Sequence, residues 1–219
     1  RRRVFERNQR MKRLLIIANW KMNPPSLREA LALAQVAEKG TAEYRNVETV
    51  LAPPFPFLSG VGSILKKTAL GAQDVFSEAG GPFTGMVSAA ELKSVGVRYV
   101  IVGHSETQAI YGYGGEEIRK KIDALLAHVL IPILCIGESE KHEGGPSPRI
   151  GEMLASALAG VKKNMLKNLV IAYEPIWAIS TTPGSASDTP ESAFRAMIYL
   201  RRILTDLYDR KSAQSARIV

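Results

Sequence analysis

Seven short runs of apolar residues recur along the chain, and longer segments with helical periodicity separate them. Each run is continuously apolar, which is the pattern of parallel strands covered on both faces. Parallel neighbours need a crossover between them, and each separating segment is long enough to supply a helix. The predicted strands are residues 14–18, 47–52, 69–73, 99–102, 131–136, 169–173 and 216–219. The alternation therefore predicts an α/β protein built on a parallel sheet.

The separating segments begin with residues that cap helices. Ser26 is followed three residues later by Glu29, and Ser88 by Glu91, and both patterns are capping boxes. Pro190 occupies a first-turn position before a long helical segment, where the missing N–H costs nothing. These signals predict helices that start near residues 27, 89 and 190.

Two architectures fit this alternation, an open doubly wound sheet and a closed (β/α) barrel. No G-x-G-x-x-G motif follows the first strand, which disfavours the nucleotide-binding form of the open sheet. Polar residues follow several strands, where barrel enzymes collect their catalytic groups. These residues are Asn19, Lys21, Gln73, His104, Glu106, Glu138 and Glu174. The barrel is the favoured interpretation.

The length of the chain bears on how much of such a barrel it contains. A (β/α)8 barrel typically needs about 250 residues, and this chain has 219. We therefore expect an incomplete barrel that ends within strand seven and lacks strand eight.

The net charge of +8 raises the alternative of a protein that binds nucleic acid or a membrane surface. Half of the excess lies in residues 1–10, ahead of the first methionine. We interpret 1–10 as a basic upstream extension outside the fold and 11–219 as the barrel domain. Doubled bases at 66–67, 120–121, 162–163 and 201–202 lie on separate helical segments without interleaved aromatic residues. They predict solvated faces, so we expect no nucleic-acid partner.

Hydropathy and cysteine content point to a cytoplasmic protein without metal. The apolar run at 14–18 is shorter than the roughly 7–15 residues of a secretory core. No stretch approaches the roughly 20 apolar residues of a membrane span, so we expect no membrane partner. Cys135 is the single cysteine and cannot form an internal disulfide or a thiolate metal site.

Three of the strand-end residues have a catalytic interpretation beside an ordinary one. His104 is either a helix cap or a neutral electrophile, because a helix N-terminus disfavours its cationic form. Glu174 is either a solvated acid or a base whose charged form is destabilised beside Trp177. Lys21 is either a surface charge or a group that attracts an anionic substrate.

Taken together, the motifs resemble the triosephosphate isomerase family in order and spacing over residues 12–219. The segments that carry the resemblance are ANWKMN at 18–23, APP at 52–54, GAQ at 71–73, FTG at 83–85, YVIVGHSE at 99–106, CIGE at 135–138 and AYEPIWAI at 172–179.

The resemblance implies a TIM barrel that interconverts dihydroxyacetone phosphate and glyceraldehyde 3-phosphate in glycolysis and gluconeogenesis, with no cofactor. It implies Glu174 as the base, His104 as the electrophile, and Lys21 and Asn19 as groups that bind substrate and stabilise the enediolate. It also implies Glu106 as a carboxylate beside Lys21.

The segment after Glu174 resembles the family's lid but has a different tip. Its first hinge, Pro175, Ile176 and Trp177, is intact. Ser180 stands where the family usually has the glycine that donates its N–H to the substrate phosphate, and the loop is longer. We expect Ser180 to take over this contact. A phosphosugar isomerase with a shifted substrate is the alternative that the altered tip leaves open.

Two further departures concern subunit contact and phosphate binding. Thr107 and Gln108 replace two arginines of the family, and Met86 replaces a glutamate, so charges that usually pair across the dimer are absent. Thr84 matches the loop tip that reaches a neighbouring subunit, and we expect a homodimer with an altered interface. The family's final phosphate-binding segments would follow Val219, so we expect residues 1–219 alone to be an inactive or weakly active fragment.

Overall fold

The computed structural model describes residues 13–142, 144–180 and 184–219. The basic extension assigned to residues 1–10 lies outside the described residues, as do residues 181–183 of the lid tip. Within the described part of the chain, no helix has both the length and the apolar composition needed to cross a membrane.

The described strands form one parallel sheet whose order follows the chain. Each predicted strand is present, with ends that differ from the prediction by one residue at most. The strands are β1 Leu14–Asn19, β2 Val47–Ala52, β3 Ala69–Ala72, β4 Tyr99–Val102, β5 Ile131–Ile136, β6 Val170–Tyr173 and β7 Arg217–Ile218.

A contact across the sheet demonstrates that it curls into a barrel wall. The Arg217 guanidinium on β7 donates to Glu48 Oε2 on β2 over 2.7 Å, and the Tyr99 hydroxyl on β4 donates to Glu48 Oε1 over 2.6 Å. In a flat sheet five strand spacings would separate β2 from β7 by roughly 24 Å. The three side chains therefore share the concave face, and the open-sheet alternative is wrong.

Residues along each central strand alternate between the barrel interior and the helical layer. On β4, Tyr99 and Ile101 point inward, while Val100 and Val102 pack outward against the helices. This double burial explains why the strands are continuously apolar. The inner cluster comprises Val50, Ala52, Tyr99, Ile101, Ile133, Cys135 and Val170.

The helices of the described segments cover the outer face of the sheet. They are α1 Leu27–Ala42, α2 Leu58–Ile64, α3 Ala89–Ser94, α4 Ser105–Tyr111, α5 Gly115–Ala127, α6 Pro148–Ala157, α7 Pro190–Leu207 and α8 Arg210–Ser215.

The predicted caps form at the helix starts. The Ser88 hydroxyl accepts the N–H of Glu91 over 3.3 Å, and the Glu91 carboxylate accepts the N–H of Ser88 over 2.8 Å, which completes a capping box on α3. At α1 the Ser26 hydroxyl accepts from the N–H of Glu29. These bonds satisfy N–H groups that have no partner inside a helix.

The prediction that all the doubled bases are solvated is wrong for Lys121. Lys121 is 4% exposed and its ammonium binds the carboxylate of Asp74. Its neighbour Lys120 is solvated, as predicted, with a side chain that is 55% exposed and paired with Glu116. Consecutive helical residues point about 100° apart, so one of two adjacent bases faces the core while the other faces water.

Candidate active site

Side chains from the ends of β1, β4 and β6 meet at one rim of the curled sheet. Lys21 Nζ lies 2.6 Å from Glu106 Oε1, and His104 Nε2 lies 3.3 Å from Glu174 Oε2. Glu106 Oε2 is 3.8 Å from His104 Nδ1, so Glu106 links the two pairs. Parallel strands present their carboxyl ends at the same rim, which is why residues distant in sequence converge.

His104 forms the predicted helix cap, and its role as an electrophile stays a prediction. It is the N-cap of α4, and its Nδ1 accepts the N–H of Glu106 over 3.2 Å. A backbone N–H only donates, so Nδ1 carries no proton and the neutral ring carries its proton on Nε2. Thr107 Oγ1 also donates to the His104 carbonyl over 2.8 Å. The cap therefore leaves a neutral Nε2–H group 3.3 Å from Glu174 Oε2, in a geometry that does not form a hydrogen bond.

Glu174 is ionised more readily than a free glutamate. Burial raises the pKa of its carboxyl, but the His104 imidazole, the Cys135 thiol and the Lys21 ammonium together lower it below the ordinary value. The expectation that the strand end destabilises the charged form is therefore wrong in sign, because three hydrogen-bond donors or charges outweigh desolvation. The Glu174 carboxylate is therefore ionised, and able to accept a proton, at neutral pH.

Lys21 is held in an uncommon backbone conformation. Its φ is 53°, a left-handed value that side chains with a Cβ rarely adopt. The Asn19 side-chain oxygen accepts the Lys21 N–H over 3.0 Å. The Gln73 amide donates to the carbonyls of Lys21 and Ala52, each over 2.8 Å. Surrounding contacts thus fix the strained residue, as occurs at functional sites.

The end of β5 approaches Glu174 closely. A Cβ built on Gly137 would lie 2.0 Å from the Glu174 carbonyl oxygen, so only glycine permits this approach. Cys135 is buried on the same strand, and burial together with Glu174 raises the pKa of its thiol well above the ordinary value. The thiol stays protonated and serves Glu174 as a neutral donor.

The predicted lid hinge is tethered to the same strand end. The Ile176 N–H donates to the Glu138 carbonyl over 2.9 Å. Glu138 Oε1 accepts from the Tyr173 hydroxyl over 2.7 Å and from Trp177 Nε1 over 3.4 Å. Pro175 caps the short 3-10 turn that contains Ile176 and Trp177. Glu138 therefore anchors two of the hinge residues, Ile176 through its backbone carbonyl and Trp177 through its carboxylate.

Ser180 and Thr84 lie on exposed loops. Ser180 sits in a turn that follows the lid hinge, and its contact with a substrate phosphate stays a prediction. Thr84 is at the tip of the loop between β3 and α3, which the Phe76 and Phe83 rings stabilise with centroids 4.8 Å apart. The reach of Thr84 into a second subunit also stays a prediction.

A cavity of about 380 Å³ adjoins Glu174 and the end of β5. Its volume is in the range of small-molecule sites. The described residues contain no group of three or more His, Cys, Asp or Glu side chains arranged to hold a metal ion. The rim itself brings together a carboxylate, a neutral imidazole and an ammonium group.

Two contributors to the site were missed in the sequence. Tyr173 was read as the last residue of an apolar strand, although a tyrosine hydroxyl at a strand end seeks a partner. The sequence marks Cys135 as a lone thiol and as part of the CIGE segment, but not as a donor to Glu174. Its place two residues after the inward-facing Ile133 is the signal that puts it on the concave face.

Comparisons with known proteins agree with the geometry of the rim. The family model described as triosephosphate isomerase matches residues 14–219. A triosephosphate isomerase of Roseiflexus castenholzii is 38% identical over 213 residues, which cover 95% of this chain and 82% of the relative. One of Chloroflexus aurantiacus is 38% identical over 208 residues, or 93% of this chain and 82% of the relative. One of Thermoanaerobacter pseudethanolicus is 38% identical over 213 residues, or 95% and 84%.

Proposed function

The chain belongs to the triosephosphate isomerase family, and we propose that its rim residues interconvert dihydroxyacetone phosphate and D-glyceraldehyde 3-phosphate. The observation that carries the proposal is the 3.3 Å approach of a neutral His104 Nε2–H to the Glu174 carboxylate, beside the Lys21 ammonium. An enolisation requires a base, a hydrogen-bond donor to the substrate carbonyl oxygen and a positive charge near that oxygen. All three groups lie at one rim. The reaction is a step of glycolysis and gluconeogenesis.

Glu174 takes a proton from the carbon next to the substrate carbonyl. The C–H electron pair forms the double bond of an enediolate, and the carbonyl oxygen takes up the negative charge. Glu174 then returns a proton to the neighbouring carbon, while the hydroxyl proton on the first carbon moves to the negative oxygen on the second, so that the carbonyl forms on the first carbon and no atom is gained or lost. Its lowered pKa keeps the carboxylate ionised at neutral pH.

His104 and Lys21 stabilise the negative oxygen as it forms. The imidazole donates through its Nε2–H, which is already in place at the rim before the charge develops. Lys21 supplies the positive charge, and Glu106 holds its ammonium at 2.6 Å in the free protein. Asn19 assists by fixing the Lys21 backbone.

The lid and Ser180 complete the substrate site in this proposal. Pro175, Ile176 and Trp177 form the hinge, and Ser180 donates its backbone N–H to the phosphate. The anchoring of Trp177 to Glu138 supports a hinge that moves as one piece. A closed lid strengthens each charge interaction beneath it, because water is excluded.

We also propose that the protein works in the cytoplasm as a homodimer with an apolar interface. Met86 and Tyr111 are 47% and 63% exposed. They line a cavity of about 390 Å³ together with Phe55 and Phe76, and the charged groups of Asp74, Glu117 and Lys121 lie at its side. The loop tip of a second copy, with Thr84, is the occupant that this surface favours. Sedimentation at two concentrations tests the assembly, and Met86→Lys is expected to weaken it.

The experiment that tests the function is an isomerisation assay on protein expressed from the complete gene. Wild type is expected to convert both trioses and to leave longer sugar phosphates unchanged. Glu174→Gln and His104→Gln are each expected to lower kcat by about 10²–10⁴-fold, the usual contribution of a positioned acid or base. Lys93→Met, on exposed α3, serves as the control. Wild-type rates in both site variants would refute the assignment.

A further inference from the structure

Lys121 is a buried cation that the site described above does not use. It lies on α5 with 4% of its surface exposed. Its ammonium is 2.8 and 2.9 Å from the two carboxylate oxygens of Asp74 and 4.2 Å from the centre of the Tyr113 ring. Burying an ammonium is costly unless it is paired. The Asp74 carboxylate and the Tyr113 ring together supply that pairing for Lys121.

The first partner leads to Lys21. Asp74 directly follows Gln73, whose amide donates to the Lys21 carbonyl over 2.8 Å. The same amide donates to Ala52 at the end of β2. The grip of Lys121 on Asp74 therefore fixes the loop that holds Lys21 in its left-handed conformation.

The second partner leads to His104. The Tyr113 hydroxyl donates to Thr107 Oγ1 over 2.8 Å. Thr107 Oγ1 in turn donates to the His104 carbonyl over 2.8 Å. The Tyr113 ring, against which Lys121 packs, therefore supports the turn that orients the imidazole.

We propose that Lys121 is a positioning residue that fixes the spacing between Lys21 and His104. Lys21 and His104 follow different strands. The buried ammonium contacts Asp74, which is next to the residue that holds Lys21, and Tyr113, which bonds to the residue that holds His104. The proposal rests on the function proposed above, because the spacing matters when both groups bind the same developing oxyanion. A second carboxylate, that of Glu117, lies near Asp74 and accepts a hydrogen bond from the Ser77 hydroxyl over 2.7 Å.

A change in the spacing between Lys21 and His104 affects the rate of the reaction more than the binding of the substrate. Displacing a catalytic group by about 1 Å can cost on the order of 10²-fold in rate. Lys21 and His104 act on charge that is present mainly in the transition state, so their misplacement lowers kcat and leaves KM nearly unchanged.

The test compares Lys121→Met with Lys120→Met, its solvated neighbour on the same helix. Each protein is assayed on triose phosphate at least ten degrees below its own Tm. Lys121→Met is expected to lower kcat by about 10–100-fold with KM within about threefold. Lys120→Met is expected to stay within about twofold of wild type, since exposed pairs contribute little.

Two further variants keep the test decisive if Lys121→Met does not fold. The double variant D74N/K121M removes both charges and leaves no unpaired ion. Tyr113→Phe removes the hydroxyl that bonds to Thr107 and keeps the ring on which Lys121 packs. We expect the double variant to lower kcat about as much as Lys121→Met, and Tyr113→Phe to lower it by a few fold. A wild-type kcat in both would overturn the proposal.

An NMR measurement separates this proposal from the proposed function. The His104 Nε2–H resonance is expected to shift in D74N/K121M and in Tyr113→Phe and to stay in place in Lys120→Met. An inactive wild-type protein would refute the isomerase assignment, and the shift would still report the positioning role. An unmoved resonance in both variants would refute positioning even in an active enzyme.

Discussion

The contact between Glu48 and Arg217 joins the second and seventh strands across the barrel interior, and Arg217→Met removes it. The side chains of Glu48 and Arg217 are 12% and 27% exposed. Truncating one partner of a buried ion pair costs about 3–5 kcal/mol, because the other charge stays buried. Here Tyr99 still donates to Glu48 and Arg98 lies 3.3 Å away. We therefore expect a loss of about 2–3 kcal/mol of unfolding free energy.

A domain of this size loses about 2–4 °C of Tm per kcal/mol, so we expect Tm to fall by roughly 5–10 °C. Glu48→Gln combined with Arg217→Met removes both charges and is expected to be more stable than Arg217→Met alone. Thermal and urea unfolding of wild type, both single variants and the double variant measure the coupling between the two residues.

The dependence on pH supplies an independent check. Burial raises the pKa of Glu48, but Tyr99, Arg217 and Arg98 lower it overall below the ordinary value. A lowered folded-state pKa stabilises the protein above the unfolded-state pKa, and this stability is lost as pH falls through the folded-state value. The difference between wild type and Arg217→Met should therefore shrink below about pH 4. A Tm within one degree of wild type, or a double variant less stable than the single, would refute the reasoning.

Three other changes have expected outcomes. Gly137→Ala places a Cβ 2.0 Å from the Glu174 carbonyl oxygen and should lower kcat on the order of 10²-fold; unchanged kcat with unchanged circular dichroism would contradict this. Ser88→Ala removes the cap of α3 and should cost about 1 kcal/mol in urea unfolding, whereas no change in the midpoint would show that the cap is not needed. Because the pKa of Glu174 is lowered, the acid limb of kcat/KM that remains after correction for the substrate phosphate, which titrates at about pH 6, should be centred below about pH 4.3; a remaining limb centred above pH 6 would contradict the lowered value.

Most of the fold was predictable because strand identity depends on local pattern. Strands buried on both faces are continuously apolar, so each of the seven strands was located to within one residue. The helix starts marked by Ser88 and Pro190 depend on neighbours within one turn and were equally predictable. The sequence favoured a closed barrel over an open sheet but did not establish closure, since the contact between Glu48 and Arg217 spans most of the chain.

The site was predictable as a set of residues but not as an electrostatic arrangement. Strand ends identified Lys21, His104 and Glu174, because parallel strands present their carboxyl ends together. The sign of the Glu174 pKa was missed, since it depends on groups that come from three other segments. The burial of Lys121 was missed for a similar reason, as its partner Asp74 lies on another strand end.

The central claim is that Glu174 moves a proton between adjacent carbons while His104 and Lys21 stabilise the oxyanion. Running the isomerisation in D2O and recording the proton NMR spectrum of the product tests it most directly. Wild type should place deuterium on the product carbon that receives the proton, because the carboxyl group exchanges its proton with solvent. Glu174→Gln should slow this labelling by about 10²–10⁴-fold. Deuterium at a carbon other than the one that receives the proton, or labelling at the wild-type rate in Glu174→Gln, would contradict the account.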